Sequence, residues 1–109
     1  MDIDRVVSNV FESIPEYFDD EIVDCLVKNK QLKIERIVSR GHTSPSTGWY
    51  DQEHDEWVIV LKGEAIIAFE DDVEVSLKTG DHLSITAHSK HRVKWTHHEK
   101  ETVWIAVHY

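Results

Sequence analysis

The chain has 109 residues, the length of a single domain. It carries 12 Lys and Arg against 21 Asp and Glu, a formal net charge of −9 that disfavours binding to nucleic acid and to anionic membranes, since both need clustered basic residues. No apolar run approaches the ~20 residues of a membrane span, and the acidic N-terminus lacks a signal-peptide pattern. Because the single cysteine, Cys25, cannot form an internal disulfide, we expect a cytoplasmic protein.

The N-terminal segment, residues 1–31, differs in pattern from the rest of the chain and is interpreted as an extension. Four of its apolar residues recur at the i, i+4, i+7 and i+8 spacing of one helix face: Phe18, Ile22, Cys25 and Leu26. This spacing predicts one short helix near residues 19–28, ahead of the main domain.

From residue 32 onward the apolar residues follow a period of two, apart from the continuous apolar run at residues 57–61, and both patterns are typical of β-strands. Seven segments of strand length are separated by turn residues: 32–38, 57–61, 64–70, 73–77, 83–85, 91–96 and 102–108. Gly63 and Gly80 stand in two of the turns. Short strands at ~8–12-residue spacing predict an all-β sandwich or barrel over residues 32–109. The apolar segment Leu32 to Val38 is predicted to be the strand through which the chain forms a homodimer.

Two segments resemble the paired sequence signatures of the cupin superfamily. Residues 56–63, EWVIVLKG, give the E-x6-G part of the first signature in full, and residues 80–91 carry the glycine and the histidine of the second. The runs TGDHLSI and HSKHRV are typical of small single-domain cupins. The resemblance covers residues 32–109. It implies the double-stranded β-helix, or jelly-roll barrel, with a short N-terminal helical extension, and it supports the homodimer.

The metal ligands of the family carry over only in part. Glu56 and His91 are retained, whereas the two histidine positions of the first signature hold Tyr50 and Gln52. The resemblance therefore implies Glu56 and His91 as ligands of a divalent Zn, Fe, Mn or Ni ion, with Gln52 as a weaker third ligand. If the segment is extended, alternation places His54 on the same face, where it would complete a set of two histidines and one carboxylate. The alternative, that Glu56 and His91 are simply hydrogen-bonded polar residues inside a barrel, stays equally open.

The chain has four tryptophans, of which Trp95 occupies the place of the asparagine in the second signature. We expect Trp95 and Tyr50 to line a cavity that is apolar with a few polar groups, the usual makeup of a small-molecule site. With Glu56 as the only charge beside His91, neutral or cationic ligands are expected to bind better than anions. The alternative is a barrel filled by its own aromatic side chains.

The leading functional hypothesis is a small cupin that binds a divalent metal ion or a small molecule inside the barrel. One alternative is a metal-dependent enzyme of the oxygenase or isomerase type, which needs three or more strong ligands and an open position. Only two strong ligands are present here. The other alternative is a metal-free, ligand-sensing or structural dimeric module, and the sequence leaves the three open.

Overall fold

The protein is described here by a computed structural model covering residues 5–45 and 48–109. These residues contain no α-helix and eight β-strands, with the following bounds: β1 Ile22–Lys28, β2 Lys33–Ser39, β3 Glu56–Lys62, β4 Glu64–Phe69, β5 Glu74–Lys78, β6 His82–Ile85, β7 His91–Thr96 and β8 Thr102–His108. Strands β2 to β8 lie where the alternating pattern places them, which confirms the all-β prediction. No helix in the described ranges is long and apolar enough to cross a membrane.

The strands form two antiparallel sheets. The larger sheet has the order β1-β2-β8-β3-β6 and the smaller one the order β5-β4-β7. Apolar side chains from both sheets pack into one core: Val58, Val60, Ala65, Ile67, Leu77, Ile85, Trp104 and Ala106. In β3, burial alternates along the strand because successive side chains point to opposite faces. One face of each sheet therefore lies against the other sheet, and this arrangement encloses the candidate site.

The predicted helix near residues 19–28 is wrong, because Ile22–Lys28 form β1 instead. This strand pairs with β2, with Ile22 opposite Val38 and Val23 opposite Ile37. A helix of about ten residues is marginal on its own, whereas β-branched Ile22 and Val23 suit a strand, and the edge of β2 offers backbone partners. Although β1 lies before the division placed at residue 31, it is hydrogen-bonded into the sheet of the main domain.

The structure also excludes β2 as a free dimer edge. The strand predicted for this role, residues 32–38, is paired with β1 on one side and with β8 on the other. Its backbone groups are therefore already used within the chain. The open edge on this side of the sheet is β1, where Val23, Leu26 and Val27 are about half-exposed. The homodimer itself stays a prediction.

The segment before β1 is fixed to the outer face of the larger sheet by Arg36. The guanidinium of this buried residue donates hydrogen bonds to the carbonyl oxygens of Val10 at 3.1 Å and Glu12 at 2.6 Å. It also pairs with Asp24, with Nε and Oδ2 3.0 Å apart. On the same face, two residues further along β2, Val38 is fully buried. One charged side chain thus connects the N-terminal segment to two strands.

Arg36→Met should lower the free energy of unfolding by about 2–4 kcal/mol, because it removes the partners of a carboxylate and of two carbonyls while replacing only the aliphatic part of the side chain. Lys94→Met is the control. It breaks the exposed Lys94–Glu74 ion pair and should cost less than about 1 kcal/mol. Urea denaturation of both variants measures the difference, and equal losses would contradict the role assigned to Arg36.

Candidate functional site

A cavity of about 170 Å³ lies between the two sheets, bordering the core. Its walls are mainly apolar and come from seven of the strands, with the following side chains: Val23, Ile37, Val58, Ile67, Ile85, Val93 and Trp104. Its polar groups include those of Tyr50, Gln52, Glu56 and His91. An apolar enclosure with a few convergent polar groups is the usual composition of a small-molecule site.

Glu56 and His91 meet in this cavity as the first residues of β3 and β7. The Nε2 atom of His91 lies 3.5 Å from Oε1 of Glu56, and the two residues are only 6% and 8% exposed. The backbone of Tyr50 forms a β-bridge with His91, which holds the loop before β3 against β7. The tyrosine ring lies 5.8 Å from the imidazole, measured between ring centroids. The structure thus brings together both retained signature residues and Tyr50.

The orientation of the His91 imidazole is fixed by its other nitrogen. Nδ1–H donates a hydrogen bond to the carbonyl oxygen of Ser89 at 2.8 Å, so Nε2 faces Glu56. Burial acts to lower the pKa of His91, but the Glu56 carboxylate and the Ser89 carbonyl outweigh it and raise the pKa above its ordinary value. A proton on Nε2 is therefore favoured by the site.

The raised pKa of His91 gives a pH dependence of folding. The stabilisation by protonated His91 beside Glu56 is fully present below the pKa of an unfolded histidine, about 6.5, and is lost as the pH rises through the higher folded value. At pH 6, His91→Gln should therefore lower the free energy of unfolding by about 1.5 kcal/mol, and this loss should shrink at alkaline pH. Urea denaturation across pH checks this against His54→Gln, an exposed control that should show no such trend. A loss for His91→Gln that is independent of pH would contradict the pairing.

The Glu56 carboxylate has an unusual environment. Its Oε1 atom is buried and, apart from the 3.5 Å charge contact with His91 Nε2, has no hydrogen-bond partner in the described part of the chain. A buried polar atom without a partner costs about 1–3 kcal/mol, and such atoms call for an explanation. Glu56 lines the cavity, so a bound molecule that enters between the Glu56 and His91 side chains could donate a hydrogen bond to Oε1.

The other proposed third ligands divide between the cavity and the surface. Gln52 lines the cavity, but His54 does not, because the chain bends at residues 53–54 and leaves the His54 side chain exposed. The expectation that His54 lies with Glu56 on one strand face required an extended segment, and that condition fails. Within residues 5–45 and 48–109, no three His, Cys, Asp or Glu side chains group closely enough to hold a metal ion.

Trp95 does not line the cavity, contrary to the prediction. Its strand contains a bulge, so that Val93 lies opposite Ile67 whereas Trp95 lies opposite Ile66. Since neighbouring residues on β4 point to opposite faces, the bulge turns Trp95 to the outer face, where its ring contacts His97. The tryptophan of the cavity is Trp104 on β8.

A second histidine–carboxylate pair was not predicted from the sequence. Nε2 of His108 lies 2.9 Å from Oε1 of Glu35, and both residues line the cavity. The alternation of Trp104, Ala106 and His108 along β8 could have placed His108 on the inner face. Its pairing with Glu35 depends on the contact between β2 and β8, which the sequence pattern does not show.

An open groove of about 480 Å³ adjoins the cavity at the turn between β1 and β2. Glu35, Gln52 and His108 line both the groove and the cavity. His54 lies in this groove, together with the residues of the turn, 28–33. These three side chains therefore separate the polar end of the cavity from the groove and belong to both.

Comparisons with known proteins agree with this architecture. The cupin domain family matches residues 37–108. A protein of Ralstonia eutropha JMP134, provisionally assigned as a mannose-6-phosphate isomerase, has a similar structure with a TM-score of 0.89 and 45% sequence identity, covering 94% of this chain and 96% of its own. A search of curated proteins gave no match.

Two more distant structures share the fold. A cupin superfamily protein of Desulfitobacterium hafniense has a TM-score of 0.72 and 19% identity, over 87% of this chain and 82% of its own. The EutQ protein of Clostridium difficile has a TM-score of 0.66 and 18% identity, over 82% of this chain and 67% of its own. With a matched domain that spans most of β2 to β8 and a relative of 45% identity, the chain belongs to the cupin family.

Proposed function

We propose that this cupin binds a small polar organic molecule in the cavity between its sheets, through Glu56 and His91. The observation that carries the proposal is the buried Oε1 atom of Glu56, which has no hydrogen-bond partner among the described residues. A ligand hydroxyl or amine would satisfy this acceptor. Nε2 of His91, 3.5 Å away, would contact the same ligand group.

The size of the cavity limits what enters it. A volume of about 170 Å³ corresponds to about six water molecules at roughly 30 Å³ each, so the buried part of the ligand has about six non-hydrogen atoms. The apolar walls suit a short carbon skeleton. The Glu56 carboxylate favours a neutral or cationic group at the deep end, because an anion there would meet a like charge.

A divalent metal ion at this site is the second part of the proposal. Metal–ligand bonds of about 2.1 Å let one ion contact both Glu56 Oε1 and His91 Nε2 across their separation. The remaining donors would be the amide of Gln52 and the phenol of Tyr50. Both are neutral, so we expect weak binding of Zn²⁺, Fe²⁺, Mn²⁺ or Ni²⁺. When bound, such an ion would polarise an oxygen of the ligand.

Isomerisation of a sugar phosphate is a second candidate function, favoured by the 45% identity to the provisionally assigned mannose-6-phosphate isomerase. That reaction moves a proton between the carbonyl carbon and the hydroxyl-bearing carbon next to it. Glu56 would take the proton from the carbon next to the carbonyl and return it to the former carbonyl carbon. Protonated His91 would give its proton to the carbonyl oxygen and then take the proton of the neighbouring hydroxyl, so that the carbonyl and hydroxyl groups exchange places. Conversion of mannose 6-phosphate to its ketose isomer, followed by NMR, tests this directly.

Binding is tested by screening a library of small polar fragments and mapping the contacts with ¹H–¹⁵N chemical-shift changes. The proposal predicts changes concentrated at Tyr50, Gln52, Glu56 and His91. Amides on the outer face, around Trp95, serve as the internal control and should stay unchanged. The proposal would be contradicted by fragments that change the chemical shifts of outer-face amides alone, or by a library in which no fragment binds.

A further inference from the structure

The groove beside the cavity has a charge opposite to that of the whole chain. Three of the 12 basic residues, Lys28, Lys30 and Lys33, lie within six positions of an otherwise acidic sequence. All three line the groove, together with His54 and His108. In a chain with a net charge of −9, this cluster is a local positive patch next to the candidate site.

The strand register connects this patch to the buried pair. Lys28 on β1 lies opposite Lys33 on β2, Lys33 lies opposite His108 on β8, and His108 lies opposite Glu56 on β3. Residues that are directly opposite in neighbouring strands point to the same face of a sheet. Because Glu56 and His108 face the cavity, the two lysines continue the same inner row to the rim.

The lysines are placed at an energetic cost. Like charges directly opposite each other across two strands are destabilising. Within the described ranges Lys28 and Lys30 form no ion pair, and the one carboxylate near Lys33, that of Glu35, is 3.7 Å away. A bound anion would remove the repulsion. A phosphate monoester, with nearly two negative charges and three acceptor oxygens, matches several ammonium groups better than a single carboxylate does.

We propose that the groove is the phosphate subsite of the ligand site, an inference that rests on the proposed function. The phosphate of a small phosphate monoester lies over Lys28 and Lys33, and its hydroxyl-bearing chain passes Gln52 and His108 to reach Glu56. Strands β2 and β3 are two strand spacings apart, so the ligand spans on the order of 10 Å. The preference for a neutral or cationic group then applies to the deep end of the ligand alone.

Calorimetric titration with three probes tests the subsite: sorbitol 6-phosphate, sorbitol and inorganic phosphate. Sorbitol 6-phosphate has the required length and no carbonyl group, so it cannot isomerise. The double variant Lys28→Gln/Lys33→Gln should bind it at least tenfold more weakly than the natural chain does. The control Lys62→Gln/Lys78→Gln changes the net charge equally at two exposed lysines outside the groove and should stay within twofold. The groove variant should melt at about the temperature of the natural chain, since losing the like-charge pair offsets the loss of the Lys33–Glu35 ion pair.

The outcomes separate this inference from the proposed function. Weaker binding in Glu56→Gln with no effect of the lysine variant would retain the cavity site and overturn the phosphate subsite. An effect of the lysine variant with none in Glu56→Gln would overturn the cavity site. Inorganic phosphate binding as tightly as sorbitol 6-phosphate would overturn the connection between groove and cavity, and no binding of any probe would overturn the inference entirely.

Discussion

Gly63→Ala should lower the free energy of unfolding by about 4 kcal/mol, among the largest effects expected of a single substitution. Gly63 has a φ of +93°, which side-chain-bearing residues rarely adopt. A Cβ there would lie 2.5 Å from Oγ1 of Thr102 and 2.7 Å from both Cα of Thr102 and the carbonyl oxygen of Glu101. Two of these three atoms are backbone at the start of β8, so rotation of a side chain cannot relieve the clash.

Gly80→Ala is the matched control for this substitution. Gly80 has nearly the same φ, +91°, but a Cβ there would meet nothing within 4 Å. It should therefore cost only the backbone strain, about 1–2 kcal/mol. Urea denaturation of both variants separates the strain from the clash. Equal losses in the two variants would contradict the close approach of the β3–β4 turn to β8.

Glu56→Gln should weaken binding of a cavity ligand about 100-fold while changing the free energy of unfolding by no more than about 1 kcal/mol. The loss of affinity follows because a hydrogen bond to a charged group contributes about 1.5–3 kcal/mol, and a tenfold change in Kd is 1.4 kcal/mol. The fold is retained because glutamine fills the same volume and its amide oxygen can still face Nε2 of His91. Calorimetry with the best fragment gives the affinity, and urea denaturation gives the stability.

The control for Glu56→Gln is Glu53→Gln, the same chemical change three residues earlier. Glu53 is exposed and lies outside both the cavity and the groove. We expect the Glu53→Gln variant to bind the fragment with the same affinity as the natural chain. If both variants bind as the natural chain does, Glu56 is not a ligand contact. If both lose affinity equally, the effect comes from net charge rather than from the carboxylate in the cavity.

Local pattern was sufficient to predict most of the fold. Seven strands were predicted from period-two alternation or from a short continuous apolar run, and the glycine that ends E-x6-G occupies the turn where a positive φ is required. The first strand escaped prediction because Ile22, Cys25 and Leu26 also fit a helical spacing. That segment is a strand because its backbone pairs with the edge of β2, a tertiary contact that the local pattern does not show.

In the candidate site too, sequence patterns predicted some residues correctly, whereas tertiary structure decided the others. The family signatures select Glu56 and His91, and the structure brings both into one cavity. His54 and Trp95 were placed by assuming unbroken alternation, and a bend before β3 and a bulge in β7 each reverse a side chain. The pair of Glu35 and His108 arises from strand neighbours that are distant in the sequence.

A crystal structure of the protein bound to its best cavity fragment tests the central claim most directly. The account predicts a fragment hydroxyl or amine within about 3.2 Å of Glu56 Oε1 and in contact with His91 Nε2, with the carbon skeleton against Val58 and Trp104. A fragment bound elsewhere, with the space between Glu56 and His91 closed by a direct hydrogen bond of the two side chains, would contradict it.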